Sequence, residues 1–245
     1  MDLSFFKTAR VFLRLKGNLK AVRHPSIPSL EDFVGFERQK ELLKKNTLAL
    51  LKGEAFNDIL LWGKRGTGKS SLVRAMLNLS PELKLLQVDR EEVDFLFDFL
   101  DAAHDLENLK FIILLEDLTF DRSEERSIRL LKTLLDGSVI KRPNNVVFYA
   151  TSNLRNLTLK PDENTSNREL EEELFSLVDR FGLRLGFNNF SKEDYLKAVK
   201  LHLEKFGVKF SPAIKKASLE FAAERGFSGR VAIHFVKFWL STVKR

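Results

Sequence analysis

The octapeptide GKRGTGKS at residues 63–70 constrains the fold of this chain more than any other feature. It follows an apolar run at residues 57–62 (NDILLW) and precedes residues 70–79, where apolar side chains recur at helical spacing. The octapeptide fits the pattern G-x-x-x-x-G-K-S/T at every fixed position. A buried strand, a glycine-rich turn and an amphipathic helix in this order predict a phosphate-binding loop at the end of a parallel strand.

The predicted loop has the groups that bind the phosphates of a nucleoside triphosphate. Its glycines let the backbone curl so that several N–H groups point at the phosphate chain, and the N-terminus of the next helix adds partial positive charge. Lys69 would neutralise the β- and γ-phosphates, and the hydroxyl of Ser70 would ligate a bridging Mg²⁺. The expected cofactor-binding residues of this segment are Gly63, Lys64, Arg65, Gly66, Thr67, Gly68, Lys69, Ser70 and Ser71.

Apolar runs alternate with helical stretches along the middle of the chain. Runs typical of buried strands lie at residues 57–62, 83–88, 111–115, 146–151 and 183–187. The helices that the spacing predicts cover residues 37–51, 70–79, 91–103 and 123–135. Strands that alternate with helices predict an α/β fold with a five-stranded parallel sheet and helices on both faces. The polar stretch at residues 161–168 is predicted to be a mobile loop.

The pattern changes after residue 187, where no further strand is predicted. Ser191 precedes one predicted helix, Ser211 and Pro212 precede a second, and a turn at residues 226–229 precedes a third. A small α-helical domain is therefore expected to follow the α/β domain.

Two carboxylates end the third apolar run, which reads FIILLED. A hydrolase of nucleoside triphosphates needs a carboxylate near Mg²⁺ and a group that positions water. The carboxyl ends of parallel strands face the crevice where ligands bind in open α/β sheets. Glu116 and Asp117 are therefore the predicted catalytic and Mg²⁺-ligating carboxylates, with Ser70 as the third metal ligand.

The positive charge of the chain is concentrated at its N-terminus. The formal net charge is +7, and residues 1–24 hold six basic residues against one acidic residue. Phe5, Ala9, Phe12 and Leu15 recur at helical spacing, which predicts an amphipathic helix. Residues 1–29 are thus interpreted as a basic helical arm and a linker. Three uses of the arm stay open: packing on its own domain, docking on a partner protein, or binding an acidic membrane surface or a nucleic-acid backbone.

Composition excludes several classes of protein. The chain has no cysteine, and its four histidines show no ligand spacing, so neither a disulfide scaffold nor a thiolate metal site is expected. No apolar run approaches the roughly 20 residues that a membrane-spanning helix needs, and no secretory signal is recognised. We therefore expect a cytoplasmic protein that is not transmembrane.

Beyond the phosphate loop, an ordered set of blocks resembles the AAA+ ATPases, and within them a bacterial branch defined only as a domain of unknown function. The blocks are DFVGFERQKELL at residues 32–43, LLWGKRGTGKSSLVRAML at 60–77, FIILLEDLTF at 111–120, FYATSN at 148–153, VDRFGLRLGF at 178–187 and GFSGRVAIHF at 226–235. The resemblance runs from about residue 30 to the C-terminus. It implies a nucleotide-binding P-loop NTPase domain at residues 30–188 and a helical lid domain at residues 189–245.

The resemblance also implies roles for single residues. Asn153 would be the first sensor, which orients the attacking water, and Arg230 the second sensor, which the lid places over the γ-phosphate. Arg180 would be an arginine finger that acts in trans, which implies a homo-oligomer. Val34 and Gly35 would border the adenine. The implied activity is Mg²⁺-dependent ATP hydrolysis, coupled to movement of the lid and subunits on a macromolecular client that the sequence does not identify.

One position departs from the family pattern and leaves alternatives open. The first residue of the acidic pair is Asp in the family, whereas this chain has Glu116, which is longer by one methylene. If hydrolysis is slow, the chain would be an ATP-dependent conformational scaffold with little turnover. The basic arm supports a second alternative, a DNA-associated loader or motor. A GTPase is disfavoured, because SKED at residues 191–194 lacks the Asn of the guanine-binding motif and fits helix capping.

Overall fold

The structure is a computed structural model that describes residues 3–120, 124–136, 141–153, 168–188 and 190–243. Its strands are β1 (Val11–Leu15), β2 (Asn18–Ala21), β3 (Ile59–Gly63), β4 (Leu83–Val88), β5 (Lys110–Leu115), β6 (Val146–Ser152) and β7 (Leu183–Phe187). Its α-helices are α1 (Glu37–Lys52), α2 (Lys69–Ala75), α3 (Phe95–Ala103), α4 (Glu125–Asp136), α5 (Arg168–Asp179), α6 (Lys192–Glu204), α7 (Pro212–Ala223) and α8 (Gly229–Val243).

The seven strands described form one sheet in the order β2-β1-β4-β5-β6-β3-β7. Neighbouring strands are parallel except for the antiparallel β1–β2 pair. The predicted α/β fold is confirmed, since each of the five predicted strands is present. The register pairs Leu115 with Ala150 and Trp62 with Ser152. The carboxyl ends of β5, β6 and β3 therefore meet at one edge of the sheet.

Both faces of the sheet are buried, as is typical of parallel strands. Successive residues of a strand point to opposite faces, so Leu60 belongs to one hydrophobic cluster and Leu61 to the other. Helices α3, α4 and α5 cover the first face, and α1 and α2 cover the second. This packing fixes the β3–α2 turn relative to the ends of β5 and β6.

The predicted helix of the N-terminal arm is wrong, because residues 11–21 form a β-hairpin. Lys16 and Gly17 have φ angles of 50° and 74°, the left-handed conformation of a two-residue hairpin turn. The first strand of the hairpin pairs in parallel with β4, and the ring of Phe12 is buried in the core. The helical spacing instead reflects a 3₁₀ turn at Leu3–Lys7 followed by a strand. In the described residues the sheet therefore has seven strands and not five.

An aromatic cluster attaches the arm to the α/β core. The ring centroid of Phe6 lies 4.9 Å from that of Phe12, 5.4 Å from that of Phe99 and 5.5 Å from that of Phe111. Phe99 belongs to α3 and Phe111 to β5. The arm thus packs on its own domain through buried aromatic side chains.

Two of the six basic residues of the arm are engaged within the chain. Arg10 donates a hydrogen bond to the carbonyl of Ser80 at 3.0 Å. The guanidinium of Arg14 lies 3.5 Å from a carboxylate oxygen of Glu92 and 4.4 Å from the ring centroid of Phe95. The other four basic side chains are exposed: Lys7, Lys16, Lys20 and Arg23. Contact of the arm with nucleic acid or an acidic membrane stays a prediction, which those four side chains would have to carry.

Phe12→Ala is expected to lower the free energy of unfolding by about 3–5 kcal/mol, because it empties a fully buried site in the core. Leu15→Ala is the matched control. Leu15 lies in the same strand but is 41% exposed, and its truncation is expected to cost less than about 1 kcal/mol. Chemical denaturation followed by circular dichroism measures both values. Equal effects of the two substitutions would contradict the assignment of the hairpin to the core.

Helices α6, α7 and α8 pack on one another around a separate cluster that includes Tyr195 and Phe235. Helix α6 begins with a capping box, as the sequence predicted. The hydroxyl of Ser191 accepts a hydrogen bond from the backbone N–H of Asp194 at 3.0 Å, and the Asp194 carboxylate accepts one from the backbone N–H of Ser191 at 3.2 Å. At the start of α7 the hydroxyl of Ser211 accepts a hydrogen bond from the backbone N–H of Ile214 at 3.3 Å.

Helix α5 lies in a stretch for which the sequence analysis predicted no helix. Its apolar residues Leu174, Leu177 and Val178 recur at helical spacing and are buried in the core. Residues 161–167 of the predicted mobile loop lie outside the described residues, as does residue 123 of the predicted fourth helix. Within the ranges given above, every helix is too short or too polar to cross a lipid bilayer.

Candidate functional site

The turn between β3 and α2 closes around the ammonium group of Lys69. That group donates hydrogen bonds to the carbonyls of Gly63 at 2.7 Å and Lys64 at 3.0 Å, and to Oδ1 of Asn153 at 3.4 Å. Burial lowers the pKa of Lys69 from 10.5 to about 8, and the charge of Asp117 opposes this shift. The ammonium is thus held by neutral acceptors that a phosphate oxygen can replace.

Two glycines are required by the geometry of this turn. Gly68 has a φ of 94°, and a Cβ there would lie 3.2 Å from the ring of Phe33. Gly66 has a φ of 77°, and a Cβ there would lie 3.2 Å from side-chain atoms of Ser228 and Arg230. Side chains other than glycine are strained in this conformation. At these two positions the turn therefore exposes its backbone to a ligand, with no Cβ atom in the way.

A cavity of about 480 Å³ lies next to this turn. Four cationic side chains outnumber two carboxylates in its wall, so the cavity favours a polyanion. Its lining residues are Arg65, Gly66, Gly68, Lys69, Ser70, Ser71, Arg74, Glu116, Asp117, Thr151, Asn153 and Arg230. All of these except Arg74 and Thr151 were singled out by the sequence analysis.

Asp117 is held at the edge of the cavity by its backbone and by both carboxylate oxygens. Its φ is 51°, a conformation that is uncommon outside glycine. Its backbone N–H donates to Oγ1 of Thr151 at 3.0 Å. The amide of Asn153 donates to Oδ1, and the guanidinium of Arg65 lies 3.9 Å from Oδ2. Because β5 and β6 are neighbours, the two predicted residues Asp117 and Asn153 meet directly.

Glu116 points toward helix α2 and the end of β4. Its Oε2 accepts a hydrogen bond from the side-chain amide of Gln87 at 2.9 Å. Its Oε1 lies 3.7 Å from the guanidinium of Arg74, which in turn donates to the hydroxyl of Ser71 at 3.0 Å. Both oxygens of the predicted Mg²⁺-side carboxylate thus have partners within the chain.

A second cavity of about 410 Å³ adjoins the first and shares Gly66, Gly68, Ser71 and Arg230 with it. It lies between the segment before α1 and the helices α6 and α8. The predicted residues Val34 and Thr67 line this cavity and not the first. Its apolar lining residues are Pro28, Phe33, Val34, Phe190, Ala198 and Ile233. An apolar cavity next to a cationic one suits a ligand with a flat ring and a phosphate tail.

Three further predicted residues shape the site through their backbones. The carbonyls of Gly63 and Lys64 hold Lys69, and the N–H of Lys64 donates to the carbonyl of Phe187 at 3.1 Å. Gly35 has a φ of 77°, and a Cβ there would lie 3.4 Å from the carboxylate of Asp194. Gly35 therefore lies where the segment before α1 approaches helix α6.

Arg180 lines neither of these cavities. It donates a hydrogen bond to the carbonyl of Ser176 and pairs with the carboxylate of Asp136. Its buried Nε has no acceptor among the described residues. The structure of a single chain thus does not bring Arg180 to the other predicted catalytic residues, and its action in a neighbouring subunit stays a prediction.

A comparison with protein families gives a match over nearly the whole chain. The model described as "Protein of unknown function (DUF815)" matches residues 6–243. The chain belongs to the DUF815 family. None of the curated proteins compared with its sequence matches it.

The DUF815 chain also resembles solved structures of RuvB from Thermotoga maritima. The Holliday junction branch migration motor of that name gives a TM-score of 0.60 at 19% identity, over 88% of this chain and 66% of the RuvB chain. Two point variants of RuvB give TM-scores of 0.62 and 0.63 at 18% and 19% identity, over 88% and 89% of this chain and 66% and 68% of theirs. These matches confirm the P-loop NTPase fold that the sequence predicted, which the chain shares with RuvB.

Three residues of the DUF815 site were missed by the sequence analysis. Arg74 lies four residues after Ser70, on the same face of α2. Gln87 is a polar residue near the end of the second run, which is apolar except for Gln87 and Lys84, and it pairs with Leu114 of β5. The hydroxyl of Thr151 accepts a hydrogen bond from the backbone N–H of Asp117. The first two leave a weak signal, a polar side chain in an apolar pattern, whereas the role of Thr151 depends on strand pairing.

Proposed function

We propose that this DUF815 chain is an Mg²⁺-dependent ATPase of the AAA+ type. The observation that carries the proposal is the buried Lys69 ammonium, held by exchangeable neutral acceptors beside Glu116, Asp117 and Arg230. A buried cation needs a compensating partner, and a triphosphate in the cationic cavity supplies it. The carboxylates at one side of the cavity are the groups that a hydrolase needs.

The fit to Mg²⁺ depends on the nucleotide. Within the described ranges no three His, Asp or Glu side chains are close enough together to hold a metal ion by themselves. Ser70, Glu116 and Asp117 line the same cavity and offer hard oxygen ligands. They would hold Mg²⁺ together with phosphate oxygens, and the ion, when bound, would neutralise charge on those oxygens.

Residues of the chain itself would bind the phosphates and the adenine and would take the proton of the attacking water. Lys69 and the backbone N–H groups of the turn would bind the β- and γ-phosphates, and Arg230 would contact the γ-phosphate from α8. The carboxylate of Asp117 would accept a hydrogen bond from the attacking water and take its proton, with Asn153 orienting both groups. The adenine would occupy the apolar second cavity beside Val34 and Gly35.

A direct contact supports coupling of nucleotide binding to movement of the helical part of the chain. The backbone N–H of Arg230 donates to the carbonyl of Gly66 at 3.2 Å, so the first turn of α8 rests on the phosphate loop. We infer that residues 189–245 act as a lid on a nucleotide-binding domain at residues 30–188. A change in the γ-phosphate would then be transmitted to α6, α7 and α8.

A scaffold with little turnover is the second candidate, and the four contacts of the two carboxylates favour it. Arg74 and Gln87 engage Glu116, and Arg65 and Asn153 approach Asp117. Glu116 must exchange its two partners before it acts on Mg²⁺, and Asp117 must exchange Arg65 before it acts on water. Slow hydrolysis by an isolated subunit is the expected consequence.

The proposals about partners of the chain each rest on a single observation. RuvB is described as a Holliday junction motor, so a DNA-associated loader or motor remains an alternative for this chain. We propose a homo-oligomer because Arg180 lies outside the cavities of its own chain. The macromolecular client is unknown, and the cytoplasmic location is proposed from the sequence alone.

Calorimetry with ATP and Mg²⁺ tests the proposed function. We expect heat from ATP that exceeds the heat from GTP. Because bound phosphates favour the ammonium form, the pKa of Lys69 should rise from about 8 on binding. Binding at pH 9 should then take up about one proton, and affinity should fall as the pH rises above about 8. Two buffers with different heats of ionisation measure the uptake. Folded protein that gives no binding heat with ATP would contradict the proposal.

A further inference from the structure

The carboxylate of Glu116 has partners that would compete with a metal ion. Its Oε2 accepts from Gln87 at 2.9 Å, and its Oε1 lies 3.7 Å from Arg74. The Glu116 side chain is about one third exposed and that of Arg74 about one quarter exposed. At this exposure the ion pair is only partly screened by water.

The elements that carry these partners are fixed by the core. Gln87 pairs with Leu114 across β4 and β5, so Gln87 and Glu116 extend from the same face of the sheet. Helix α2 packs on that face through Leu72 and Val73, which brings Arg74 to Glu116. An aspartate at this position would end about 1.5 Å nearer to the backbone. The extra methylene of Glu116 is therefore what allows its carboxylate to reach both partners.

The guanidinium of Arg74 is incompletely satisfied in this arrangement. It donates to Ser71 at 3.0 Å, but its buried Nε has no acceptor among the residues described. Arg74 also lines the cationic cavity together with Ser70. The ion pair with Glu116 is thus the interaction that keeps this cation compensated.

We propose that Arg74 and Gln87 are positioning residues that hold Glu116 away from Mg²⁺ until nucleotide and metal bind together. Mg²⁺ must then displace both partners from the carboxylate, so the chain needs more Mg²⁺ than its own ligands would otherwise require. The inference rests on the proposed ATP site. It concerns only the metal requirement of that site, and it assigns Arg74 no contact with the nucleotide.

The test measures binding of a fluorescent ATP analogue over a series of Mg²⁺ concentrations, with EDTA as the metal-free reference. We expect Arg74→Gln to lower the Mg²⁺ concentration at half effect about 1.5- to fivefold, since this is the range measured for ion pairs near the surface. For Gln87→Met, which removes no cation and no residue that lines either cavity, affinity in EDTA should change less than about twofold. Arg74→Lys, which keeps the charge, should resemble the native chain, and Arg129→Gln, an exposed ion-pair residue of α4, is the control.

Gln87→Met separates positioning from simple removal of charge. It is neutral and similar in shape, so a drop in the Mg²⁺ requirement of about two- to threefold must come from release of Glu116. In a Glu116→Gln background, both substitutions should shift the requirement by less than about twofold, because the carboxylate they hold is gone. Thermal melting confirms that each variant is folded.

The outcomes distinguish this inference from the proposed function. If the native chain binds no analogue with or without Mg²⁺, the ATP site itself is wrong. If the analogue binds but Gln87→Met leaves the Mg²⁺ requirement unchanged or raises it, the positioning role is overturned. Loss of affinity in EDTA on Gln87→Met would also overturn it, since the substitution would then act on nucleotide binding itself and not through the metal.

Discussion

Lys69→Met is expected to lower the affinity of the chain for ATP about 100-fold, or by about 3 kcal/mol, while the fold stays intact. Lys69 is 7% exposed, and its ammonium lies within the cationic cavity. Removal of a buried charge from a phosphate site loses a contact that water cannot replace there. Methionine keeps the unbranched stem, so the packing around the stem is retained.

Lys64→Met is the matched control for this substitution. Lys64 belongs to the same turn, but its side chain is exposed and lines neither cavity. Only its carbonyl contacts Lys69, and the substitution leaves that carbonyl in place. We expect Lys64→Met to change the affinity for ATP by less than about threefold. Fluorescence anisotropy of a labelled ATP analogue measures both variants, and equal losses would mean that the nucleotide does not bind at Lys69.

Phosphate release from the same proteins separates the ATPase from the scaffold. The native chain should release more phosphate than Lys69→Met if the site turns over ATP. Tight ATP binding with no more release than Lys69→Met would favour the scaffold, in which the partners of Glu116 and Asp117 prevent turnover.

The centre of the site could be predicted because its determinants are local in sequence. The residues of the β3–α2 turn are consecutive, and Glu116, Asp117 and Asn153 lie at or just after the ends of apolar runs that are typical of buried strands. Adjacent parallel strands end at one edge of a sheet, so these side chains had to meet once the strand order placed β5 beside β6. The contacts of Glu116 with Arg74 and Gln87 could not be predicted, since they depend on how α2 packs across β4 and β5.

The N-terminal arm shows where local spacing fails. Phe5, Ala9, Phe12 and Leu15 fit a helical period, yet the hairpin gains backbone pairing with β4, which lies about 70 residues later in the chain. Burial of Phe6 and Phe12 against α3 and β5 adds to this stabilisation. Non-local pairing of this kind outweighs intrinsic helix preference. The local signal that could have indicated the hairpin is the Lys16-Gly17 turn.

Arg180→Ala is expected to slow ATP hydrolysis about 10³-fold with little change in ATP affinity, because an arginine finger stabilises charge in the transition state. Arg180 pairs with Asp136 and Ser176 in its own chain, and these contacts fix it at the end of α5. Arg184→Ala is the control. Arg184 lies near Arg180 in sequence, pairs with Asp179 at 3.4 Å and is about half exposed, so its loss should change the rate less than about threefold.

A mixing experiment decides whether Arg180 acts on a neighbouring subunit. Lys69→Met chains lack a working phosphate site but keep Arg180, whereas Arg180→Ala chains keep the site and lack the finger. In a mixed oligomer, an Arg180→Ala chain supplies a working phosphate site, and a neighbouring Lys69→Met chain supplies Arg180 to complete it. Random assembly of equal amounts creates this pair at about one quarter of the positions. Hydrolysis per chain should therefore return to about one quarter of the native rate. A mixture as slow as its two components would show that Arg180 does not complete the site of a neighbour.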